Sequence, residues 1–575
     1  MLDEAMETSK LRASARYWPL VILTAILIVF IITIILIRPA ANFGGLQDDA
    51  TYFASAKALA SGHGYLLPSF PGGLTTLKYP ELYPWLLSWI WRWNASFPAN
   101  VVPAIGLSVF FACCFLLACF LVARKTFGLS PAWALVVTAL CAFNFFALLL
   151  GGSVLSDLPF GALALLAALA ADRSLEPDGH WAWMALAGVL AGFSAGLRTV
   201  GVMVVVGIAL VALLRRGWRQ AALICLVGSA VSLPWLLPPV LRALAPHTGT
   251  ASISSGWTQT LAFYTSYVGQ WRHFVPDWAT QRSVLLKNFL SVAVEPGIFL
   301  LFPLANRGAF FSVAVGSLVA IGAWAGIVLH FRRTGWKAIH GVFLFYLAMV
   351  LPWPFPPQRF LVAFVPLLFG GLVLVFREIA LHVAKAFTGP APAAKRATAA
   401  ALGVALLVLA GFVVANFAYL VPKKLSNLMA GQRSLLTEKQ QAYRWIDAHT
   451  PAEARFIAYD DVLLYLYTGR QAIRPIACST ASAYDNDPAY ARRDAAHLGD
   501  VPRYIHANYW LVSKSDFDVE LGDDRTVLLR RENEMLSGLP VVFKSETGHI
   551  RIYDLRCFQT PAAPGCPSPA AAQNR

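Results

Sequence analysis

The segment from Trp18 to Ile37 contains twenty residues and no charged side chain. At 1.5 Å per residue, a helix of that length matches a hydrocarbon core about 30 Å thick. A cleavable signal peptide is the alternative, but its apolar core is only about 7–15 residues long and ends in small residues. This segment is followed by Arg38 and Pro39. The sequence therefore predicts an uncleaved first membrane span.

Ten further apolar segments follow the first one. They occupy residues 101–123, 131–150, 158–171, 183–197, 199–214, 220–240, 309–330, 339–352, 359–376 and 398–420. Only 13% of the chain is charged, against about 25% in an ordinary soluble domain. We therefore expect an α-helical polytopic membrane protein with about eleven transmembrane helices, whose membrane domain covers residues 18–420.

The positive charge of the chain is concentrated in its apolar part. The net charge is +15, yet residues 421–575 contain 19 Lys and Arg against 18 Asp and Glu. The remaining 27 basic and 13 acidic residues precede position 421, mostly in short loops. Short basic loops set the orientation of membrane proteins. We therefore read the charge as a topology signal and expect no nucleic-acid partner.

Basic residues occupy every second loop between the predicted spans. They are Arg124 and Lys125; Arg173; Arg215, Arg216 and Arg219; Arg332, Arg333 and Lys337; and Arg377, Lys385, Lys395 and Arg396. If residues 1–17 are cytoplasmic, all these clusters are cytoplasmic too, as the positive-inside rule requires. The loops 38–100 and 241–308 and the chain from 421 onward are then periplasmic or extracytoplasmic. We expect a multi-pass protein of the inner (plasma) membrane.

Residues 421–560 have the pattern of a small α/β domain. Helical spacing runs from Thr437 to His449, and strand patterns occupy 455–459, 509–512, 541–543 and 550–553. The Ala- and Pro-rich residues 561–575 are expected to be disordered. Cys557 and Cys566 would lie close together in an oxidising compartment, and whether they form a disulfide stays open.

Acidic residues at the predicted outer face are the first candidates for chemistry. Asp48 and Asp49 follow the first span, and Asp157 lies at the outer end of the fourth. Ionisable groups at the membrane boundary are costly and often functional. The alternative is that these residues only cap helices, because Asp is a favoured N-cap residue.

A second candidate segment is Lys78-Tyr79-Pro80-Glu81-Leu82-Tyr83 in the same outer loop. It combines a cation, a carboxylate and two phenols within six residues. Lys78 could instead extend its ammonium from the membrane surface, and an interfacial belt explains tyrosines equally well.

These motifs and their order resemble those of the C-type (GT-C) membrane glycosyltransferases of bacteria, in particular the family of rhizobial lipopolysaccharide core transferases. The chain is more distantly similar to lipid A aminoarabinose transferases and protein O-mannosyltransferases. The matching motifs are Asp48-Asp49-Ala50-Thr51-Tyr52, the Lys78–Tyr83 segment, Asp157, Leu197-Arg198-Thr199, Arg359-Phe360-Leu361, Trp445 to Pro451 and Thr468-Gly469-Arg470. The family pattern has Glu at position 49 and Pro at position 81, so these two positions depart from it.

The resemblance implies transfer of a sugar from a polyprenyl-phosphate donor to a lipid, glycan or protein acceptor, with inversion. Asp48 would be the catalytic base and Asp157 a second catalytic carboxylate. The implied substrate-binding residues are Asp49, Tyr52, Lys78, Glu81, Tyr83, Arg198 and Arg359. Lys78, Arg198 and Arg359 would hold the lipid phosphate, although Arg198 could instead form a structural salt bridge with Asp157. Whether a divalent metal ion takes part stays open.

Two other functions fit the predicted topology. A lipid-linked sugar flippase would have inverted repeats and ionisable groups near the membrane midplane, which the sequence does not clearly show. A non-catalytic membrane scaffold would be indifferent to loss of Asp48. The sequence does not identify the sugar or the acceptor.

Overall fold

The computed structural model describes residues 2–556 apart from 76, 245–254, 305–309, 480, 486 and 519–524. Cys557, Cys566 and the predicted disordered end at 561–575 lie outside these residues. The membrane part and its outer loops contain α1 (Leu2–Ile37), α2 (Asp48–Ala60), α3 (Leu82–Trp93), α4 (Val101–Lys125), α5 (Pro131–Phe143), α6 (Phe145–Gly151), α7 (Asp157–Ser174), α8 (Trp181–Leu197), α9 (Val202–Leu214), α10 (Trp218–Leu244), α11 (Ser255–Thr265), α12 (Tyr267–Phe274), α13 (Trp278–Leu301), α14 (Phe310–Thr334), α15 (Ala338–Val350), α16 (Gln358–Leu361), α17 (Val365–Thr388) and α18 (Ala393–Ala415).

Seven helical stretches among the described residues are long and apolar enough to cross a membrane, or eight if the bent pair α5–α6 is one span. The predicted α-helical membrane architecture is therefore confirmed at this level. Three shorter apolar helices cover Trp181–Leu197, Thr199–Leu214 and Ala338–Val350. The number of about eleven spans and the orientation stay predictions.

Helix α13 is the main element that the sequence did not indicate. It lies inside the predicted outer loop 241–308, yet it is long and apolar enough to cross a membrane. Its first turn nevertheless bonds to the C-terminal part of the chain, and its last turn bonds to the end of α18. The Thr280 and Tyr490 hydroxyls are 2.7 Å apart, and the Leu300 carbonyl accepts a hydrogen bond from Asn416 where α18 ends. The assignment of 241–308 to the outer side stays a prediction.

A continuous helical run leads from the membrane part to the C-terminal sheet. It covers Ala393–His449 and consists of α18, a π-turn at Asn416–Leu420 and α19 (Val421–His449). The predicted domain boundary at residue 421 therefore falls within one helical run. We use "C-terminal domain" for residues 450–556, which follow α19.

The C-terminal domain is built on a five-stranded mixed sheet, as the strand patterns predicted. Its strands are β1 (Phe456–Ala458), β2 (Ala472–Ile473), β3 (Tyr509–Ser513), β4 (Val541–Lys544) and β5 (Ile550–Asp554), in the order β2-β1-β3-β5-β4. Strand β1 pairs in parallel with β2 and β3, and β5 is antiparallel to β3 and β4. The helices are α20 (Asp461–Thr468), α21 (Ala481–Asp485), α22 (Pro488–Ala496), α23 (Asp500–Tyr504) and α24 (Arg525–Leu536). Only β2, which has two residues, gave no signal in the sequence.

Glycine allows two apolar helices, α14 and α17, to approach each other closely. A Cβ atom on Gly326 of α14 would lie 1.9 Å from the carbonyl oxygen of Gly371 on α17. Small residues at such crossings let helix backbones pack directly, which is how helices associate in a lipid environment.

We expect Gly326→Ala to destabilise the protein by about 1–3 kcal/mol, because the added methyl group forces the two backbones apart. The measurement is the thermal unfolding midpoint in detergent. Gly411→Ala on α18 is the matched control, since a Cβ there meets no atom within 4 Å. An equal midpoint for the two variants would contradict the close packing of α14 and α17.

Candidate active site

The segment between α1 and α2 places Asp48 at the start of α2 through a tight turn. Gln47 has φ 60° and ψ −41°, and the Asp48 N–H donates to the Leu46 carbonyl at 2.6 Å. The chain thus reverses directly before α2 and turns the Asp48 side chain towards the membrane helices.

Asp48 has two partners from distant parts of the chain. Its Oδ2 atom is 2.8 Å from Nη2 of Arg359 in α16, and its Oδ1 accepts a hydrogen bond of 2.5 Å from the Tyr79 hydroxyl. The Asp48 side chain keeps 24% of its surface exposed. It is therefore fixed in direction but still accessible from one side.

Asp157 is the second carboxylate and the first residue of α7. Its Oδ1 is 2.6 Å from Nη1 of Arg198, and its Oδ2 accepts hydrogen bonds from Nε and Nη2 of Arg359 at 3.3 and 3.1 Å. Arg359 therefore lies between Asp48 and Asp157. The structure brings together these three residues and Arg198, which the sequence had named from four separate segments.

The charges around Asp48 keep it ionised. Burial by itself raises the pKa of the Asp48 carboxyl, but the positive charge of Arg359 and the Tyr79 hydrogen bond outweigh burial, with smaller contributions from Lys78 and Arg198. The pKa of Asp48 lies below its ordinary value as a result. An ionised carboxylate with an exposed edge can accept a proton at neutral pH.

Lys78 lies beside this cluster and is held by side chains of two further helices, α11 and α12. Its ammonium donates to Gln270 Oε1 at 2.9 Å and lies 4.0 Å from the centre of the Phe263 ring. Two carboxylates, Asp48 and Asp157, thus face three cations, Lys78, Arg198 and Arg359. The excess of one positive charge suits an anionic ligand.

Asp49 does not join the cluster. Its two carboxylate oxygens accept hydrogen bonds of 2.9 Å from the backbone N–H groups of Gly44 and Ala50, and the residue is buried. Burial raises the pKa of Asp49 to about 7, against the opposing effect of those two bonds. Its contacts are those of a residue that shapes the loop, so the predicted role in substrate binding has no geometric support.

The predicted tyrosines pack around the Asp48 cluster, and Glu81 lies at the start of α3. The Tyr52 ring stacks edge-on against the rings of Tyr79 and Tyr83, with centroids 5.1 and 5.3 Å apart. The Tyr52 hydroxyl is 3.3 Å from Ser156 Oγ. Glu81 is the N-cap residue of α3. Tyr83 is fully buried, so its side chain shapes the wall and not the open face.

Tyr79 is the functional candidate to which the sequence gave no role. It lies within the segment that the sequence singled out, but a phenol beside a lysine carries no signal for a bond to Asp48, which is 31 positions away. Gln270, the partner of Lys78, lies in α12 and gave no signal in the sequence.

The cluster does not fit a divalent metal ion. Among the residues described, no group of three or more His, Cys, Asp or Glu side chains is placed to hold a metal. Each carboxylate oxygen of Asp48 and Asp157 already faces a guanidinium or a hydroxyl donor. A metal ion would have to displace an arginine, so we derive no step through one.

Solved structures with a similar fold are glycosyltransferases. The crystal structure of the Archaeoglobus fulgidus oligosaccharyltransferase tethered with an acceptor peptide has a TM-score of 0.52 and 13% identity, covering 94% of this chain and 74% of that chain. The archaeal oligosaccharyltransferase AglB from Archaeoglobus fulgidus, in complex with an inhibitory peptide and a dolichol-phosphate, has a TM-score of 0.52 and 14% identity. The match covers 94% of this chain and 74% of that chain. ArnT from Cupriavidus metallidurans bound to undecaprenyl phosphate has a TM-score of 0.48 and 13% identity. The match covers 92% of this chain and 97% of that chain.

No protein-family model matches the sequence, and no curated protein matches it significantly. The chain has the fold of the C-type glycosyltransferases, as its resemblance predicted. At such low identity the structural similarity defines the fold alone.

We expect Asp157→Ala to destabilise the protein by about 3 kcal/mol, because it leaves the partly buried Arg198 without its carboxylate and Arg359 with Asp48 alone. Asp178→Ala is the matched control. Asp178 pairs with Arg173 at 2.9 Å but is 71% exposed, so its loss should leave the unfolding midpoint nearly unchanged. Unfolding in detergent compares the two, and equal losses would show that the Asp157 cluster is not a buried ion network.

Proposed function

We propose that this protein is a membrane glycosyltransferase that transfers a sugar from a polyprenyl-phosphate donor to an envelope acceptor on the non-cytoplasmic face, with inversion. The observation that carries the proposal is the ionised, partly exposed Asp48 held beside three cations at the junction of the first outer loop and the membrane helices. That junction is where a lipid-linked phosphate and a water-borne acceptor can meet.

Asp48 acts as the general base in this reaction. Its carboxylate takes the proton of an acceptor hydroxyl while the hydroxyl oxygen attacks the anomeric carbon. The new carbon–oxygen bond forms on the face opposite the phosphate, and the bond from the anomeric carbon to the phosphate oxygen breaks. The electron pair leaves with the polyprenyl phosphate. A positioned base contributes about 10²–10⁴-fold to such a step.

The excess positive charge near Asp48 accepts the charge that develops on the leaving phosphate. Fixed cations in a water-poor site stabilise such charge strongly. Lys78 and Arg359 lie closest to Asp48 in this role, and Asp157 positions the guanidinium groups of Arg198 and Arg359. The complex of AglB with a dolichol-phosphate supports a lipid phosphate as the ligand of this fold.

The orientation follows from the basic loops. With residues 1–17 in the cytoplasm, the loop that carries Asp48 and Lys78 and the C-terminal domain face the periplasm, and the chain resides in the inner membrane. The acceptor is a lipid, a glycan or a protein of the cell envelope.

The Asp48→Asn variant tests the function directly. We expect product formation to fall by about 10²–10⁴-fold, because an amide cannot accept the proton, while the protein still folds and inserts. The measurement is mass spectrometry of envelope glycans and lipid A from a strain that lacks the gene and is complemented with each variant. Asp178→Asn, an exposed substitution far from the cluster, is the control. Full complementation by Asp48→Asn would rule out the base and favour a scaffold or flippase.

Binding of the lipid phosphate is a separate prediction. Undecaprenyl phosphate should raise the unfolding midpoint of the purified protein, whereas undecaprenol, which has no phosphate, should not. Lys78→Ala should weaken the binding by about 1.5–3 kcal/mol, the usual contribution of a hydrogen bond to a charged group. Equal effects of the two lipids would show that the cations do not hold the phosphate.

A further inference from the structure

The turn before Asp48 has an unfavourable backbone conformation. Gln47 has a positive φ of 60°, and the hydrogen bond from Asp48 N–H to the Leu46 carbonyl closes a three-residue turn. This form of γ-turn is rare and strained, and residues other than glycine seldom adopt it. Strained backbone of this kind persists only where the surroundings hold it, and it concentrates at active sites.

Backbone bonds join Gln47 to Gly44 and Thr51, and the C-terminal domain holds its side chain. Nη2 of Arg474, the residue after β2, donates to Gln47 Oε1 at 2.5 Å. Arg474 is 1% exposed, and its guanidinium lies 4.3 Å from the centre of the Phe263 ring and 4.9 Å from that of Tyr459. The two ring contacts restrict the direction of the Arg474 guanidinium, which therefore holds the Gln47 side chain in place.

The same face of the C-terminal domain also reaches the segment that carries Lys78. Asp461, at the start of α20, accepts a hydrogen bond of 2.5 Å from the Tyr264 hydroxyl, and the Tyr264 carbonyl accepts one of 2.9 Å from the Lys78 N–H. Gln47 and Arg474 line the same narrow cleft between the outer loops and the C-terminal domain. The domain thus contacts both outer-loop segments of the candidate active site.

We propose that Arg474 is a positioning residue, which holds Gln47 in its strained turn and thereby fixes the Asp48 carboxylate against Arg359. The proposal rests on the proposed function for its activity readout. The C-terminal domain then contributes to the geometry of the active site, because Arg474 acts on Asp48 by way of Gln47.

The physical consequence follows from the geometry of the turn. Without the bond from Arg474, the backbone of Gln47 relaxes to a negative φ. The peptide unit before Asp48 then rotates, and the first turn of α2 moves. The Asp48 carboxylate then leaves its place beside Arg359. A displacement of about 1 Å at a reacting group lowers the rate by about 10²-fold, without removing any group that binds the donor.

A double-mutant cycle with Arg474→Ala and Gln47→Ala tests the proposal. The assay uses radiolabelled polyprenyl-phosphate sugars and envelope glycolipids, both extracted from the deletion strain, in which unused donor and acceptor remain. Each single variant should lose about 10²-fold in kcat with little change in KM for the donor. The double variant should also lose about 10²-fold, and not the product of the two losses, because both changes break one contact.

The pH profile separates positioning from a general loss of structure. Besides Arg359, the charged or titratable groups that face Asp48 are Tyr79, Lys78, Arg198, Asp49, Tyr52 and Tyr267. Because Arg359 lowers the pKa of Asp48, displacing the carboxylate raises that pKa, and the acid limb of the rate profile moves to higher pH. The shift should appear in both single variants.

Arg470→Ala is the matched control within the same domain. Arg470 pairs with Asp447 of α19 at 2.7 Å and has no bond to the Gln47 turn, so its loss should leave the acid limb in place. Multiplicative losses in the cycle, or an unchanged acid limb, would overturn the role of Arg474. If Arg474→Ala does not accumulate, Gln47→Ala alone must show the kcat loss and the pH shift.

The outcome for Arg474 can be told apart from that of the proposed function. Wild-type activity of Asp48→Asn would rule out the proposed function, in which Asp48 is the general base. An inactive Asp48→Asn together with a multiplicative cycle leaves the function in place and removes only the positioning role.

Discussion

The structure depends on one shared guanidinium. Arg359 lies between Asp48 of the first outer loop and Asp157 of α7, at 2.8 and 3.1 Å. Buried charges of this kind are costly unless each has a partner, and here every carboxylate oxygen has one. These ion pairs therefore favour the observed packing of the α2 start, the α7 start and α16. The same pairing leaves Asp48 ionised and one positive charge in excess.

The C-terminal domain is joined to this arrangement by directed polar contacts. Arg474 donates a hydrogen bond to the Gln47 side chain, and Asp461 accepts one from the Tyr264 hydroxyl. The N–H of Ala472 in β2 donates to the Ser69 carbonyl. Hydrogen bonds specify orientation, which apolar packing alone does not. The C-terminal domain can therefore influence the geometry of the Asp48 cluster through these contacts.

The sequence predicted what local patterns encode and missed what depends on distant contacts. Uncharged segments and strand alternation predicted the apolar helices and four of the five strands. Acidic residues after predicted spans marked Asp48 and Asp157, and the family resemblance added Arg198 and Arg359. Helix α13 was missed because Arg282, Lys287 and Glu295 interrupt its apolar character. The contact of Arg474 with Gln47 joins residues 427 positions apart, and a single sequence contains no signal for it. The side chain of Asp49 bonds to its own loop, and its role in substrate binding stays a prediction.

A cryo-electron microscopy map of the protein in nanodiscs that contain undecaprenyl phosphate tests the central claim most directly. The account predicts phosphate density within hydrogen-bonding distance of Lys78 and Arg359, with the Asp48 carboxylate still beside Arg359 and its open edge towards the phosphate. Phosphate density on the opposite side of the membrane, or Asp48 separated from Arg359 and Asp157, would contradict it.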